Sequence, residues 1–226
     1  MDLVYRVCRN LSRALAESLF DYRVIHDERL IHTGGVLLCS NHVSYLDPPL
    51  AGIVYKEAVH YLARKSLLSN PLSRWLFPRL HVVPIDQDRP GFAGLKTIIK
   101  CLTDGHRVLI FPEGSRSPDG NLQRGEPGTG LVVAKARVPV IPVRLFGAHE
   151  ALPFGSGRLR RNTVTAVVGE PLRFDREVLP HGKDTYQQIS DRIMAAIAAL
   201  ECPPDRIPTP RPPDQLHESK HRHSGI

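Results

Sequence analysis

His42 and Asp47 lie within Asn41-His42-Val43-Ser44-Tyr45-Leu46-Asp47-Pro48, and together they are residue types that move protons near neutral pH. An imidazole titrates close to working pH, and a carboxylate fixes its tautomer and stabilises the imidazolium. In a continuous helix, five residues of separation would rotate the side chains about 140° apart. In a strand they would face opposite sides. The pair converges only where the backbone turns between them. Such a turn is permitted, because a strand ends near Ser40 and Pro48 biases Asp47 away from helical geometry. The same residues also suit a loop histidine followed by an aspartate that caps a helix beginning at Pro48-Pro49. Spacing alone does not separate the two.

A second group follows the apolar run 107–111, in Pro112-Glu113-Gly114-Ser115-Arg116-Ser117. In α/β folds ligands gather beyond the carboxyl ends of strands. Gly114 lets a ligand approach the backbone and its amides, while Arg116, Ser115 and Ser117 are suited to phosphate oxygens. A strand followed by a plain polar turn fits the same residues. No Gly-Lys-Ser/Thr follows, so this is no P-loop, and G-x-S-x-G is absent, so there is no nucleophile elbow.

These segments need a frame. Strand patterns cover 35–40, 59–63, 81–85, 107–111, 138–145 and 163–168, and helix patterns cover 2–20, 48–57, 91–104, 128–137 and 183–200, with loop and helix over 66–80. The alternation predicts a single α/β domain over 21–200, with a mixed or largely parallel sheet flanked by helices. Residues 1–20 read as an amphipathic helix with Leu3, Val7, Leu11 and Leu15 on one stripe and Arg6, Arg9 and Arg13 off it. That suits a membrane surface or packing on the domain equally. Residues 201–226 carry six prolines and few large apolar side chains, and are expected to be disordered.

The formal net charge of +7 falls on residues 1–200, since 201–226 hold four basic and four acidic side chains. A basic body suits phosphorylated substrates or an anionic membrane surface, or serves solubility alone. With few aromatic residues and no nucleic-acid motif, nucleic acid is not expected as a partner. Cys8, Cys39, Cys101 and Cys202 share no short spacing, which points to a reduced intracellular protein and not to a disulfide scaffold. His217, His221 and His223 read as solvated tail residues, so no metal is expected. No apolar run approaches the roughly 18 residues that span a bilayer.

Taken together, the motifs resemble the glycerolipid acyltransferases. Asn41–Asp47 matches Asn-His-x-Ser-x-x-Asp, Phe111–Ser117 matches Phe-Pro-Glu-Gly-x-x-Ser, Val138–Val143 matches Val-Pro-Val-Ile-Pro-Val, and Ala63-Arg64-Lys65 matches a basic segment between the first two. The resemblance covers roughly residues 20–170. It implies His42 as general base and Asp47 as its partner. It also implies an acyl-CoA or acyl-carrier protein donor, a lysophospholipid acceptor such as 1-acylglycerol-3-phosphate, no cofactor, and attachment to the cytoplasmic membrane face. Acceptor contacts then fall to Glu113, Gly114, Ser115 and Arg116. The family's second motif places an arginine where this chain has Gln87, and Arg89 is the expected substitute.

Overall fold

The computed structural model describes residues 3–64, 68–85, 92–174 and 182–210. Seven strands form one sheet in the order β1-β7-β6-β2-β5-β3-β4. They are β1 (Arg23–Ile25), β2 (Val36–Ser40), β3 (Val59–Arg64), β4 (Val82–Ile85), β5 (Arg107–Ile110), β6 (Val140–Phe146) and β7 (Thr165–Val168). Strands β2 to β6 are mutually parallel, with Leu38 opposite Leu109 on one side and Ile141 on the other. Among these seven strands only β6 and β7 pair antiparallel, and β1 joins β7 in parallel. Every residue of β2 is buried, as a central parallel strand with both faces covered requires.

Helices cover the two faces. α1 (Leu3–Phe20) and α2 (Asp47–Gly52) pack Ala16, Phe20, Leu50 and Ala51 with Leu38, Leu109, Ile141 and Val143. On the other face α4 (Phe92–Thr103), α5 (Pro127–Ala136) and α7 (Lys183–Ala198) bury Ile98, Leu102, Val132, Val133, Ile189, Ile193 and Ile197 against Leu37, Cys39 and Val108. The i, i+4 spacing of Ile189, Ile193 and Ile197 is the stripe that seats α7. Close approach of α5 and α7 depends on Gly130, where a Cβ would meet the Tyr186 carbonyl oxygen at 1.9 Å. α3 (Pro71–Arg79) starts with proline at its first turn, and Asn70 accepts the Ser73 amide at 2.8 Å as its cap.

Two elements escape the sequence patterns. β1 has three residues and α6 (Ala148–Ala151) only four, too short for a periodicity to show. Residues 203–206, assigned to a disordered tail, instead carry a 3₁₀ turn whose Arg206 is 4% exposed. Its guanidinium donates to Asp21 Oδ2 at 2.5 Å, Thr165 Oγ1 at 3.2 Å and the Asp21 and Val164 carbonyls. Polar contacts, not apolar burial, hold this segment, and hydrophobic patterning does not register them.

α1 presents its apolar stripe outward. Leu3, Val7, Leu11 and Leu15 are between 47% and 64% exposed, while Tyr5, Ala16 and Phe20 face the domain. Arg9 is not a solvent-facing cation: its Nε donates to the Tyr55 carbonyl at 2.7 Å and docks the helix. Arg13 pairs with Glu17 at 2.5 Å. Among the described residues, no helix is long and apolar enough to cross a membrane.

Candidate active site

Because β2 to β6 run in parallel, their carboxyl ends share one edge of the sheet. β2 stands between β5 and β6, and the region beyond its carboxyl end is where open α/β sheets place a ligand. His42 follows β2, the 111–117 turn follows β5, and α6 follows β6. The motifs legible in the sequence therefore meet at the point where this topology places a ligand.

The expected turn between His42 and Asp47 is present. The Asp47 amide donates to the Ser44 carbonyl at 3.4 Å, and α2 begins at Asp47. Asp47 Oδ2 accepts three donors: His42 Nδ1 at 2.8 Å, the Val43 amide at 2.6 Å and the Ser44 amide at 2.7 Å. The carboxylate therefore folds back over the loop and does not cap its own helix. Its other oxygen, Oδ1, is buried without a hydrogen-bond partner among the described residues. Burial pushes the Asp47 carboxyl above the usual carboxylate range, and the bonds from His42, Ser44 and Val43 oppose that rise. The Nδ1 contact leaves Nε2 as the basic nitrogen. The ring stacks on Phe111, with centroids 3.9 Å apart and planes 13° apart.

Glu113 has a different role from the one its motif position suggests. It is 4% exposed, and both oxygens accept backbone amides, Oε1 from His42 at 2.8 Å and Oε2 from Gln123 at 3.1 Å. The Ser117 amide donates to the His42 carbonyl at 2.7 Å. Glu113 and Ser117 thus hold the His42 backbone from both sides. Burial raises the Glu113 carboxyl, opposed by the same two amide bonds. Gly114 adopts φ 71°, a left-handed turn that favours glycine, and its amide is spent on the Phe111 carbonyl at 3.1 Å. Ser115 is exposed, and Arg116 is half-buried beside the loop of His42, over the Tyr45 ring at 3.9 Å. Arg89, like Gln87 and Lys65, lies outside the described residues.

Residues not singled out as functional complete the frame. Asn41 bonds Leu145 on both its amide and carbonyl, at 2.8 and 3.1 Å, and so fixes the start of the loop to β6. Ser44 Oγ donates to the Leu152 carbonyl at 2.6 Å and ties the loop to the segment after α6. Both lie inside the first motif, but nothing in their type announced a partner more than 100 residues away. No group of three or more His, Cys, Asp or Glu side chains among the described residues is arranged to hold a metal ion. What the arrangement suits is proton abstraction by an oriented imidazole beside a cation.

Comparison with known proteins agrees with this geometry. The family model described as Acyltransferase matches residues 21–145, which include both motif loops. A 1-acyl-sn-glycerol-3-phosphate acyltransferase of Bacillus subtilis (strain 168) is 26% identical over 207 residues, 90% of this chain and all of the relative. A chloroplastic 1-acyl-sn-glycerol-3-phosphate acyltransferase of Arabidopsis thaliana is 31% identical over 136 residues, 59% of this chain, which spans only 38% of that relative. The crystal structure of the 1-acyl-sn-glycerophosphate acyltransferase from Thermotoga maritima superposes with a TM-score of 0.71 at 22% identity, covering 88% of this chain and 81% of the other. With its matched motifs assembled at one edge of a shared fold, this chain belongs to the acyltransferase family.

Proposed function

We propose that the protein transfers a fatty acyl group from acyl-CoA or an acyl-carrier protein to the sn-2 hydroxyl of 1-acylglycerol-3-phosphate, giving phosphatidic acid. The observation that carries this reading is the His42–Asp47 pair, held by Glu113 and Ser117 beside the Arg116 guanidinium. The substrate class is supported by the Bacillus and Arabidopsis relatives, which bear that activity in their names.

In this mechanism His42 Nε2 takes the proton of the acceptor hydroxyl as its oxygen attacks the thioester carbonyl. Asp47 holds the ring through Nδ1 and stabilises the imidazolium. The tetrahedral intermediate collapses with loss of the thiolate, which receives the proton from His42. No acyl-enzyme forms, and no cofactor takes part. Arg116 binds the phosphate of the acceptor, with Arg89 as a second candidate cation.

The acceptor resides in a bilayer, so the enzyme works at a membrane surface. The outward stripe of α1 supports peripheral attachment at the cytoplasmic face, as do Leu72 at 68% and Trp75 at 50% exposure on α3. Arg79 lies over the Trp75 ring at 4.5 Å, an arginine–aromatic pair suited to an interface. Flotation with anionic liposomes at raised salt tests this, and indifference to lipid charge counts against it.

The decisive assay supplies an acyl thioester and lysophosphatidic acid to the wild type and to His42→Ala. Transfer is expected from the wild type and lost in the variant. Undiminished transfer by His42→Ala would overturn the mechanism and favour a basic lipid-binding module.

A further inference from the structure

Among the described residues Arg116 is a cation beside the His42 loop, and what holds it is aromatic. Its guanidinium carbon lies over the Tyr45 ring at 3.9 Å and over the Phe154 ring at 4.9 Å. The ring centroids are 5.8 Å apart and the planes 30° apart, so the rings stack on each other and the guanidinium lies against one side of the pair, not between two faces. Contact from one side covers part of the cation and leaves the rest of its N–H fork open. The acids near it in sequence are engaged elsewhere. Glu113 holds the His42 and Gln123 amides, and Asp119 holds Asn121 and Ser117 Oγ. No carboxylate among the described residues forms an ion pair with Arg116.

Both rings are partly exposed, Tyr45 at 50% and Phe154 at 36%, so neither is retained for the core. Their positions are nonetheless set. Tyr45 sits between His42 and Asp47 on the loop that the Asp47 carboxylate closes. Phe154 is delivered by the segment after α6, which Ser44 fastens to that loop through the Leu152 carbonyl and the Ser44–Pro153 bridge. The same loop therefore carries the base, one wall of the cation's seat and the tether for the other wall.

We infer that Tyr45 and Phe154 are positioning residues that hold the Arg116 guanidinium, un-neutralised, at a fixed distance from His42, so that an acceptor's phosphate is seized where its hydroxyl meets the base. This rests on the acceptor assignment above. An acidic partner would order the arginine equally well but would cancel the charge that a phosphate needs. A ring face orders it while leaving the full charge. Selectivity for a phosphorylated acceptor over an uncharged one then depends on two residues that never touch the phosphate.

The test is steady-state kinetics with an acyl-CoA donor and two acceptors, 1-oleoylglycerol-3-phosphate and uncharged 1-oleoylglycerol. The proteins are the wild type, Arg116→Ala, Phe154→Leu, Tyr45→Leu, the double Leu variant and the ring-keeping Phe154→Tyr and Tyr45→Phe. Each ring loss raises KM for the phosphorylated acceptor by about two- to fivefold, and the double loss by about tenfold. The donor KM and kcat stay near wild type, preference over 1-oleoylglycerol narrows in step, and both ring-keeping variants retain the wild-type KM.

If Arg116→Ala raises KM while the Leu variants do not, the aromatic seat is refuted and the acceptor assignment stands. A donor KM that rises in parallel also overturns it, because that reports a disturbed loop. A wild type that acylates 1-oleoylglycerol as well as its phosphate overturns the acceptor reading itself, and the seat with it.

Discussion

Replacing Asp47 by Asn isolates what its charge contributes, because the structure dictates how the amide must sit. Oδ2 faces three N–H donors, on His42 Nδ1, Val43 and Ser44, at 2.6 to 2.8 Å. Pointing the new NH2 group at them would set four donors against one another, whereas the amide oxygen can accept all three. The NH2 then occupies the place of Oδ1, which is already buried without a partner. The Nδ1–H tautomer is therefore kept, and only the charge is lost. A charge-assisted bond exceeds a neutral one by about 1–2 kcal/mol, and the carboxylate's remaining, screened attraction for the imidazolium adds about 1 more. The expected loss in kcat is thus about 30- to 150-fold, from some 2–3 kcal/mol. Stability stays within about 1 kcal/mol, since the unpaired NH2 replaces an equally unpaired buried oxygen whose ionisation burial opposed. The assay is kcat for acyl transfer from an acyl-CoA, with a thermal melt alongside. A fall near 10⁴-fold, the size seen when a triad amide forces the wrong tautomer, would refute the tautomer reasoning. A fall under about threefold would show that the carboxylate's charge is not used.

Glu113→Gln leaves one of the two backbone donors, on His42 or Gln123, facing an NH2 group. It should cost about 1.5–3 kcal/mol by denaturant melt and lower kcat more than KM, whereas a KM effect alone would mark a substrate contact. His60, on β3, stacks between His81 and His106, with ring centroids 4.7 and 4.6 Å away. Burial, then His81 and His106, push its imidazole down to about 4. The unfolded chain, with an ordinary imidazole near 6.5, takes the proton first, so the stability His60 contributes is lost as pH falls from about 6.5 towards 4. Discounted for partial exposure, this is about 1–2 kcal/mol, and the Tm difference between pH 7 and pH 5 should shrink by several degrees in His60→Phe. Arg206→Gln removes the tie between the carboxyl-terminal segment and Asp21. It should lower stability by about 2–3 kcal/mol, read as a Tm drop of about 5–10 °C, and leave KM unchanged.

The His42–Asp47 contact and the alternating frame were legible because both depend on local pattern: apolar runs such as β2, stop signals such as Gly105, and a motif with a turn inside it. Other features were not legible, because their causes are not local. Asp47 looked equally like a cap, and three donors aimed at one oxygen decide otherwise. Glu113 looked like a ligand contact, and only its burial between two loops makes it a brace. The lone Phe154 belongs to the site because β6 and α6 bring it back to Tyr45, which no spacing rule encodes. Arg9 shows the same limit in reverse, since a cation that patterning set against solvent is spent on the Tyr55 carbonyl.

The bonds that pin His42 also fix when in the chain's history the site can exist. Its amide is held by Glu113, 71 residues on, and Asn41 is held by Leu145, 104 residues on. Contacts of such span close late in folding, because the entropy of the intervening loops is lost before any contact rewards it. A nascent chain that has emerged only as far as β5 carries the histidine and aspartate but lacks the clamp from β6. The held geometry of His42 therefore exists only where β5 and β6 have both been seated on β2.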